Sequence, residues 1–336
     1  MEQYLLDDSF AIHLTLGTLS VAVNVLAILI VQINKRGPME HYSKYLVAVI
    51  VGGILNDIFL NFLFQPFSIF FPDGCGCYIA SGILKRYLRV VTNPQLAIMF
   101  FLIELNMVPI LACFLYRHQA VMIGNSIWAL KGRTQCVMCI LLVLWTAGII
   151  PLQLFQPGAE TSAERLAARL NASLLPSVEG GFCYGYDWWN YGLVLQIFLS
   201  LIFFLLSIVF LTAHIFWKLR TAGNVISGTS KQHHRMMINV LVTQTVVPVV
   251  FACLPSGLLI VQAYYTISAT TMSMAAFELL ALHTCVHSMA IIFATPVYRT
   301  TVKQLLRCTM FQKRKFFRAS KIRMRDITVL TISSTT

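Results

Sequence analysis

Charge is what this sequence has least of. Only 11% of its 336 residues are Asp, Glu, Lys or Arg, while 57% are hydrophobic. Soluble domains carry about 25% charged residues, so a fold facing water on all sides is excluded. Four long stretches carry no charge at all: Phe10 to Ile33, Cys136 to Phe155, Trp188 to Trp217, and Met236 to Met274. A helix needs about 20 apolar residues to cross the hydrocarbon core. Each stretch is long enough, and the last holds one span and the start of the next. A positive N-terminal region is missing too, since the first nine residues contain Glu2, Asp7 and Asp8 but no Lys or Arg. The first apolar run is therefore expected to remain as a span rather than to act as a cleaved signal. No internal repeat is present. The longest segments outside the apolar runs, 156–189 and 297–336, are too short for a soluble domain.

What is present predicts an all-α membrane protein, a seven-transmembrane helix bundle. Spans are expected at about 10–33, 45–71, 90–116, 135–155, 190–217, 237–263 and 273–296. Residues 1–296 then form one seven-span unit and 297–336 a basic tail. An odd number of spans fits poorly with a transporter of two matched halves. If the N-terminus is extracellular, the segments 34–44, 117–134, 218–236 and 297–336 face the cytosol and hold 20 of the 25 Lys and Arg. Eight of the 13 acidic residues lie on the other side and two on this one. The positive-inside rule favours this orientation, with a cytosolic C-terminus. Lys85, Arg86 and Arg89 are the local exception; just before the third span, their long side chains can reach the outer headgroups. Asn171-Ala172-Ser173 is an N-glycosylation sequon and falls in the outer loop 156–189. Of the nine cysteines, Cys75, Cys77 and Cys183 fall on the oxidising side. Cys75 or Cys77 is a candidate partner for Cys183, the alternative being free or differently paired thiols. Cys113, Cys136, Cys139, Cys253 and Cys285 lie in spans, where they are expected to pack as small hydrophobes.

Charges inside a membrane cost about 2.5–3.5 kcal/mol each on insertion scales, so each asks for a reason. The spans hold three: Asp57, Glu104 and Glu278. Asn61 and Gln65 follow Asp57 at i+4 and i+8, which puts all three on one helical face. Asn24, at a similar depth on the first span, can reach Asp57. This set reads as a polar interhelical network, either a plain clamp or an ion or water site. Glu104 lies midway down the third span. Glu278 lies one or two turns below the outer surface. Both are candidate ligand-binding carboxylates; for Glu278 the alternative is a side chain that reaches a loop or water. His283 and His287 are spaced i, i+4 and could ligate a metal on one helix face, although a third protein ligand is not evident. Packed polar histidines are the other reading, and no metal or cofactor is assigned. Pro66, Pro109, Pro151, Pro248, Pro255 and Pro296 are expected to kink their spans. Pro248 and Pro255 mark the sixth as a hinge candidate.

At the expected cytosolic face, Arg117 and His118 end the third span and Arg235 closes the next loop. The tail runs as a basic amphipathic segment, with Val302, Leu305, Leu306 and Met310 set against Lys303, Arg307, Lys313, Arg314 and Lys315. Such a segment lies on anionic membrane lipid. Cys308 within it is a candidate palmitoylation site. Thr328, Thr331, Ser333, Ser334, Thr335 and Thr336 form a cluster that kinases could phosphorylate.

Seven kinked spans followed by a basic membrane-lying segment resemble a G-protein-coupled receptor. The rhodopsin-like landmarks are imperfect: Tyr116-Arg117-His118 replaces the usual acidic-Arg-aromatic triplet, and no Asn precedes Pro296 in Thr295-Pro296-Val297-Tyr298. The seventh span has no Lys, which excludes a retinal Schiff base. Four stretches are closer to the nematode serpentine chemoreceptors, class I or the related class H of the Str superfamily. These are Asp57-Ile58-Phe59-Leu60-Asn61-Phe62-Leu63-Phe64-Gln65-Pro66 running on to Phe71-Pro72 and Gly82-Ile83-Leu84, then Arg117-His118-Gln119-Ala120, Gln244-Thr245-Val246-Val247-Pro248, and Pro296-Val297-Tyr298-Arg299. The resemblance covers about residues 10–310. It implies a receptor, not an enzyme, on the ciliary membrane of a sensory neuron. It also implies a small-molecule ligand, a heterotrimeric G protein, arrestin at the Ser/Thr tail and no nucleic acid. Arg117, His118 and Arg235 would be the transducer contact.

Two rival readings differ in testable ways. A ligand-gated cation channel of the insect odorant-receptor type would have seven spans with inverted topology. An intramembrane zinc hydrolase would need metal at His283 and His287. An epitope on the tail should be reached by antibody only after the plasma membrane is permeabilised; staining of intact cells would exclude the receptor orientation.

Overall fold

The computed structural model describes residues 2–35, 40–70, 76–122, 132–156, 180–184, 188–221, 240, 242–243, 245–264, 270–305 and 307. In chain order these form α1 (Glu2–Ile33), α2 (Glu40–Ile58), β1 (Pro66–Phe70), β2 (Gly76–Ala80), α3 (Ile83–Leu88), α4 (Thr92–Val121), α5 (Gly132–Ala147), α6 (Ile149–Leu154), β3 (Phe182–Cys183), α7 (Trp188–Thr221), α8 (Leu254–Tyr264) and α9 (Thr270–Ala294). A further helix, α10, covers 296–305. Two wide π-helical turns, Phe59–Phe64 and Val249–Cys253, continue α2 and precede α8.

Among the described residues, six helices are long and apolar enough to cross a membrane: Ser9–Ile33, Tyr42–Phe64, Thr92–Gln119, Arg133–Leu154, Trp188–Lys218 and Met272–Ala294. A shorter apolar helix, Thr245–Leu259, stands where the sixth span is expected. The outward faces suit lipid. On α5 they carry Val137, Ile140, Leu141 and Leu144, and on α7 Leu195, Phe198, Leu206 and Phe210, all exposed. By contrast, α4 lies at the centre of the bundle. It packs against α2, α5, α6 and α7 and buries Leu96, Met99, Ile110, Leu111 and Phe114. Between helices in lipid there is little hydrophobic drive, so close backbone approach and hydrogen bonds must hold them together. Gly17 shows the closeness: a Cβ there would lie 2.5 Å from Cβ of Asn61 and 2.8 Å from the Phe62 ring. Only a residue without a side chain lets α1 meet the π turn.

The expected second span, 45–71, ends earlier than its hydrophobicity suggests. The π turn stops at Phe64, Gln65 adopts a left-handed backbone (φ 48°) with its N–H on the carbonyl of Leu60, and Pro66 begins a strand. The residue before a proline is disfavoured in the helical region, and proline cannot continue the helical bonding. The apolar run that follows becomes β1. It pairs antiparallel with β2, Pro66 opposite Ala80 and Phe70 opposite Gly76, and β2 pairs with β3. Cys77 and Cys183 face each other across β2 and β3 and are joined by a disulfide. Pro66 therefore kinks no span. The fourth span is likewise not one smooth helix. It breaks at Gly148 between α5 and α6, where the carbonyl of Trp145 accepts the side-chain amide of Gln196 (2.8 Å). Pro151 lies in the first turn of α6, where its missing N–H costs least.

The three-stranded sheet is sewn to the helices it caps. Ser81 N–H and Gly82 N–H donate to Phe64 O (3.2 and 2.9 Å), and Thr92 N–H donates to Gly180 O (2.9 Å). Gly82 leaves no room: a Cβ there would lie 2.4 Å from the backbone oxygen of Leu63. A Gly82→Ala change should therefore cut the yield of monodisperse protein and lower its thermal midpoint in detergent. Gly257→Ala on α8, with nothing within 4 Å, should match or exceed the parent, because alanine is about 1 kcal/mol the better helix former. Size-exclusion chromatography with a thermal ramp compares the two.

Candidate functional site

A buried polar knot joins α1, α2 and α9. Oδ2 of Asp57 accepts hydrogen bonds from Ser20 Oγ (2.6 Å), from Asn24 Nδ2 (2.9 Å) and from the hydroxyl of Thr284. Ser288 donates to Oδ1 of Asn24, so the network reaches a second residue on α9. Ser20 and Asn24 are one turn apart on α1, as are Thr284 and Ser288 on α9, so each helix presents one polar stripe to the carboxylate. Gly53 helps: a Cβ there would lie 3.1 Å from the Thr284 side chain. Oδ1 of Asp57 has no partner among the described residues.

Of the single face expected for Asp57, Asn61 and Gln65, the first two residues keep it: both meet α1. The helical turn ends at Phe64, so Gln65 leaves that face. Oδ1 of Asn61 pairs with Nδ1 of His13 on α1 (3.0 Å). Gln65, beyond the helix, folds its side-chain amide back onto Asn61 O (2.6 Å).

Glu104 is buried on α4. Its Oε2 accepts from Ser200 Oγ on α7 (3.2 Å), and Ser200 in turn accepts from the indole N–H of Trp145 on α5 (2.9 Å). Oε1 of Glu104 has no partner among the described residues. Glu278 is half-buried on α9 beside Phe277, whose ring packs edge-on against Tyr78 at 6.1 Å. The two candidate carboxylates thus sit on different helices with different neighbours. Next to the disulfide, Tyr184 packs edge-on against both Tyr78 and Phe182. Tyr184 donates to Gln153 (2.8 Å), and Gln153 to Asn93 (2.7 Å), which ties β3 to α6 and α4. Burial holds the Tyr78 and Tyr184 phenols well above their ordinary range, so both stay neutral.

His283 and His287 are buried on α9 with ring centroids 6.1 Å apart, and Nε2 of each is without a partner among the described residues. Among those residues no third His, Cys, Asp or Glu joins them in a metal-sized cluster. Two imidazoles alone do not complete the three protein ligands of a catalytic zinc site.

At the opposite end from the sheet, Arg117 is buried rather than presented. Its guanidinium lies 3.6 Å from the centre of the Tyr42 ring, and Nε and Nη1 have no hydrogen-bond partner among the described residues. Tyr298 of α10 is buried close by. Burial pushes its phenol up to about 12, Tyr42 adds to the rise and the charge of Arg117 opposes it. Tyr42 and Tyr45 both pack on Tyr116, and Thr301 donates to Asn34 (3.0 Å), which fastens α10 to α1. His118 is also buried, its Nε2 2.6 Å from Nδ1 of His214 on α7. Cys75, Asn171, Arg235, Gln244, Cys308 and the Ser/Thr cluster at the C-terminus lie outside the described residues.

Ser20, Thr284, Ser288, Ser200, Trp145 and Tyr42 were not singled out by sequence. For the first three a signal exists, a hydroxyl one turn from another polar residue at the depth of Asp57. For Ser200 and Trp145 there is none.

The sequence matches the family described as Serpentine type 7TM GPCR chemoreceptor Sri over residues 10–302. Among solved structures, squid rhodopsin is similar in fold, with a TM-score of 0.59, 10% identity, and coverage of 91% of this chain and 87% of that one. No curated protein matches the chain.

Removing the Asp57 side chain leaves three buried donors without their acceptor, each worth about 1–3 kcal/mol. Asp57→Asn keeps one acceptor oxygen. Thermal unfolding of purified protein should therefore show a larger loss for Asp57→Ala than for Asp57→Asn, by about 1 kcal/mol or more.

Proposed function

The chain belongs to the Sri family of serpentine seven-transmembrane chemoreceptors, and from that premise we propose a chemosensory receptor that binds small environmental molecules and activates a heterotrimeric G protein. The family match over 10–302 carries this reading. It is a multi-pass membrane protein; the plasma membrane, and by resemblance the ciliary membrane of a sensory neuron, is the proposed location. The N-terminus is extracellular in this reading. Two observations support that orientation: the basic residues gather on the other side, and the Cys77–Cys183 disulfide belongs in an oxidising compartment. Asn171 then carries a glycan. The tail lies on inner-leaflet lipid, anchored by acylated Cys308, and its phosphorylated Ser/Thr cluster recruits arrestin.

Mechanistically, ligand binds the outer half of the bundle, where Glu104 and Glu278 are the candidate contacts, and does so better in one arrangement than in another. It thereby shifts a pre-existing equilibrium. The cytosolic end supplies an element to shift. Arg117 rests under Tyr42 in a cation–π contact worth about 0.5–2 kcal/mol, and two of its donor nitrogens are without partners among the described residues. Release from Tyr42 would turn a charged, planar donor toward the transducer. The bent sixth span, with its π turn after Pro248, is the element expected to move.

The test is a G-protein activation assay in cells expressing the full chain, screened against volatile and water-soluble compounds. At least one compound class should activate, and Arg117→Ala should abolish that response at equal surface expression. A response that survives Arg117→Ala would remove this residue from the transducer contact, and silence with every G-protein class counts against the receptor reading.

A further inference from the structure

The Glu104 site carries more information than its place in the bundle. An indole N–H can only donate, so the bond from Trp145 occupies Ser200 as an acceptor and leaves the serine hydrogen for Oε2 of Glu104. Ser200 thus binds Oε2 while Oε1 has no partner among the described residues. A carboxyl oxygen left unpaired in a low-dielectric interior is costly, whether the group is charged or neutral.

Among the described residues of α4, α5 and α7, no Lys or Arg stands near it. On α4 the only Lys or Arg is Arg117, 13 residues from Glu104, or about 20 Å along the helix. On α5 and α7 the basic residues are Arg133, Lys218 and Arg220, each at least 12 residues from Trp145 or Ser200. The residues one turn either side of Glu104 include Phe100 and Met107, and Phe204 lies one turn from Ser200 on α7. An apolar, partly aromatic surround with one under-satisfied carboxylate is what an organic cation needs, since ring faces attract cations and the carboxylate supplies the counter-charge.

We propose that Glu104 is the anchor for a protonated amine ligand, its ammonium bound to Oε1 and its hydrocarbon part lying among Phe100, Met107 and Phe204. This rests on the chemosensory reading and narrows the ligand class to small organic amines. The Trp145–Ser200 pair positions the carboxylate by holding Oε2, which leaves Oε1 to the ligand.

Thermal unfolding of the purified full chain in lipid nanodiscs tests this with primary alkyl and arylalkyl amines, their N-trimethylated analogues and their isosteric alcohols. Primary amines should raise the midpoint of the parent protein and the alcohols should not. The trimethylated forms, which lack N–H donors, should act more weakly. Glu104→Gln should weaken amine binding by about tenfold or more, the scale of one charge-assisted hydrogen bond, with its unliganded midpoint and monodispersity as the folding control. Should that variant not fold, the amine–alcohol difference on the parent protein still decides. Equal shifts with alcohols, unchanged amine binding by Glu104→Gln, or no shift with any amine overturns the proposal and leaves a structural clamp only. Activation by neutral or acidic compounds without amine binding overturns it while the receptor reading stands. Amine binding at Glu104 without G-protein activation upholds the site and counts against the receptor reading.

Discussion

The carboxylate of Asp57 is buried within an apolar helix long enough to span a membrane, where a bare charge is costly, and three donors from two other helices converge on one of its oxygens. Water cannot do this work in hydrocarbon, so the partners must come from the chain itself. That requirement sets the positions of α1, α2 and α9 together. Ser20 and Asn24 must face α2, Thr284 and Ser288 must face α1, and small residues must let the backbones close. Gly17 and Gly53 mark those approaches. Gly52 extends the same logic to the centre, because a Cβ there would lie 2.8 Å from Oδ1 of Asn106 on α4.

The two ends of the bundle are held by different means. At the sheet end, covalent and backbone bonds dominate: the Cys77–Cys183 disulfide, the paired strands, and Thr92 bonded to Gly180. At the other end the contacts are between side chains, with Arg117 under Tyr42, His118 against His214 and Thr301 on Asn34. Side-chain contacts of this kind rearrange at a cost of a few kcal/mol, within reach of a ligand's differential affinity. The asymmetry agrees with the proposed division of labour, recognition at the fixed end and response at the adjustable one.

Much of this could be read from the sequence, and the rest could not for identifiable reasons. Asn24 and Asp57 stood out because a charge and an amide at matching depth in lipid demand each other. Ser20, Thr284 and Ser288 did not, because hydroxyls in spans commonly bond back to their own helix, as Thr15 does to Ala11 and Thr18 to Leu14. The second span reads too long in the sequence because Phe67 to Phe71 is apolar but for Ser68, and a short apolar run reads equally as helix or strand. Which cysteine meets Cys183 is a matter of strand register, and register needs the partner strand. His118 meets His214 from 96 positions away, a separation that no local pattern reports.

If one carboxylate oxygen gathers the hydroxyls of α1 and α9, those hydroxyls cannot act independently. A double-mutant cycle on Ser20→Ala and Thr284→Val, read by unfolding free energy in lipid nanodiscs, measures this directly. The shared acceptor predicts a coupling of about 0.5–2 kcal/mol between the two changes. Losses that add within about 0.3 kcal/mol would contradict it and leave α1, α2 and α9 held by packing alone.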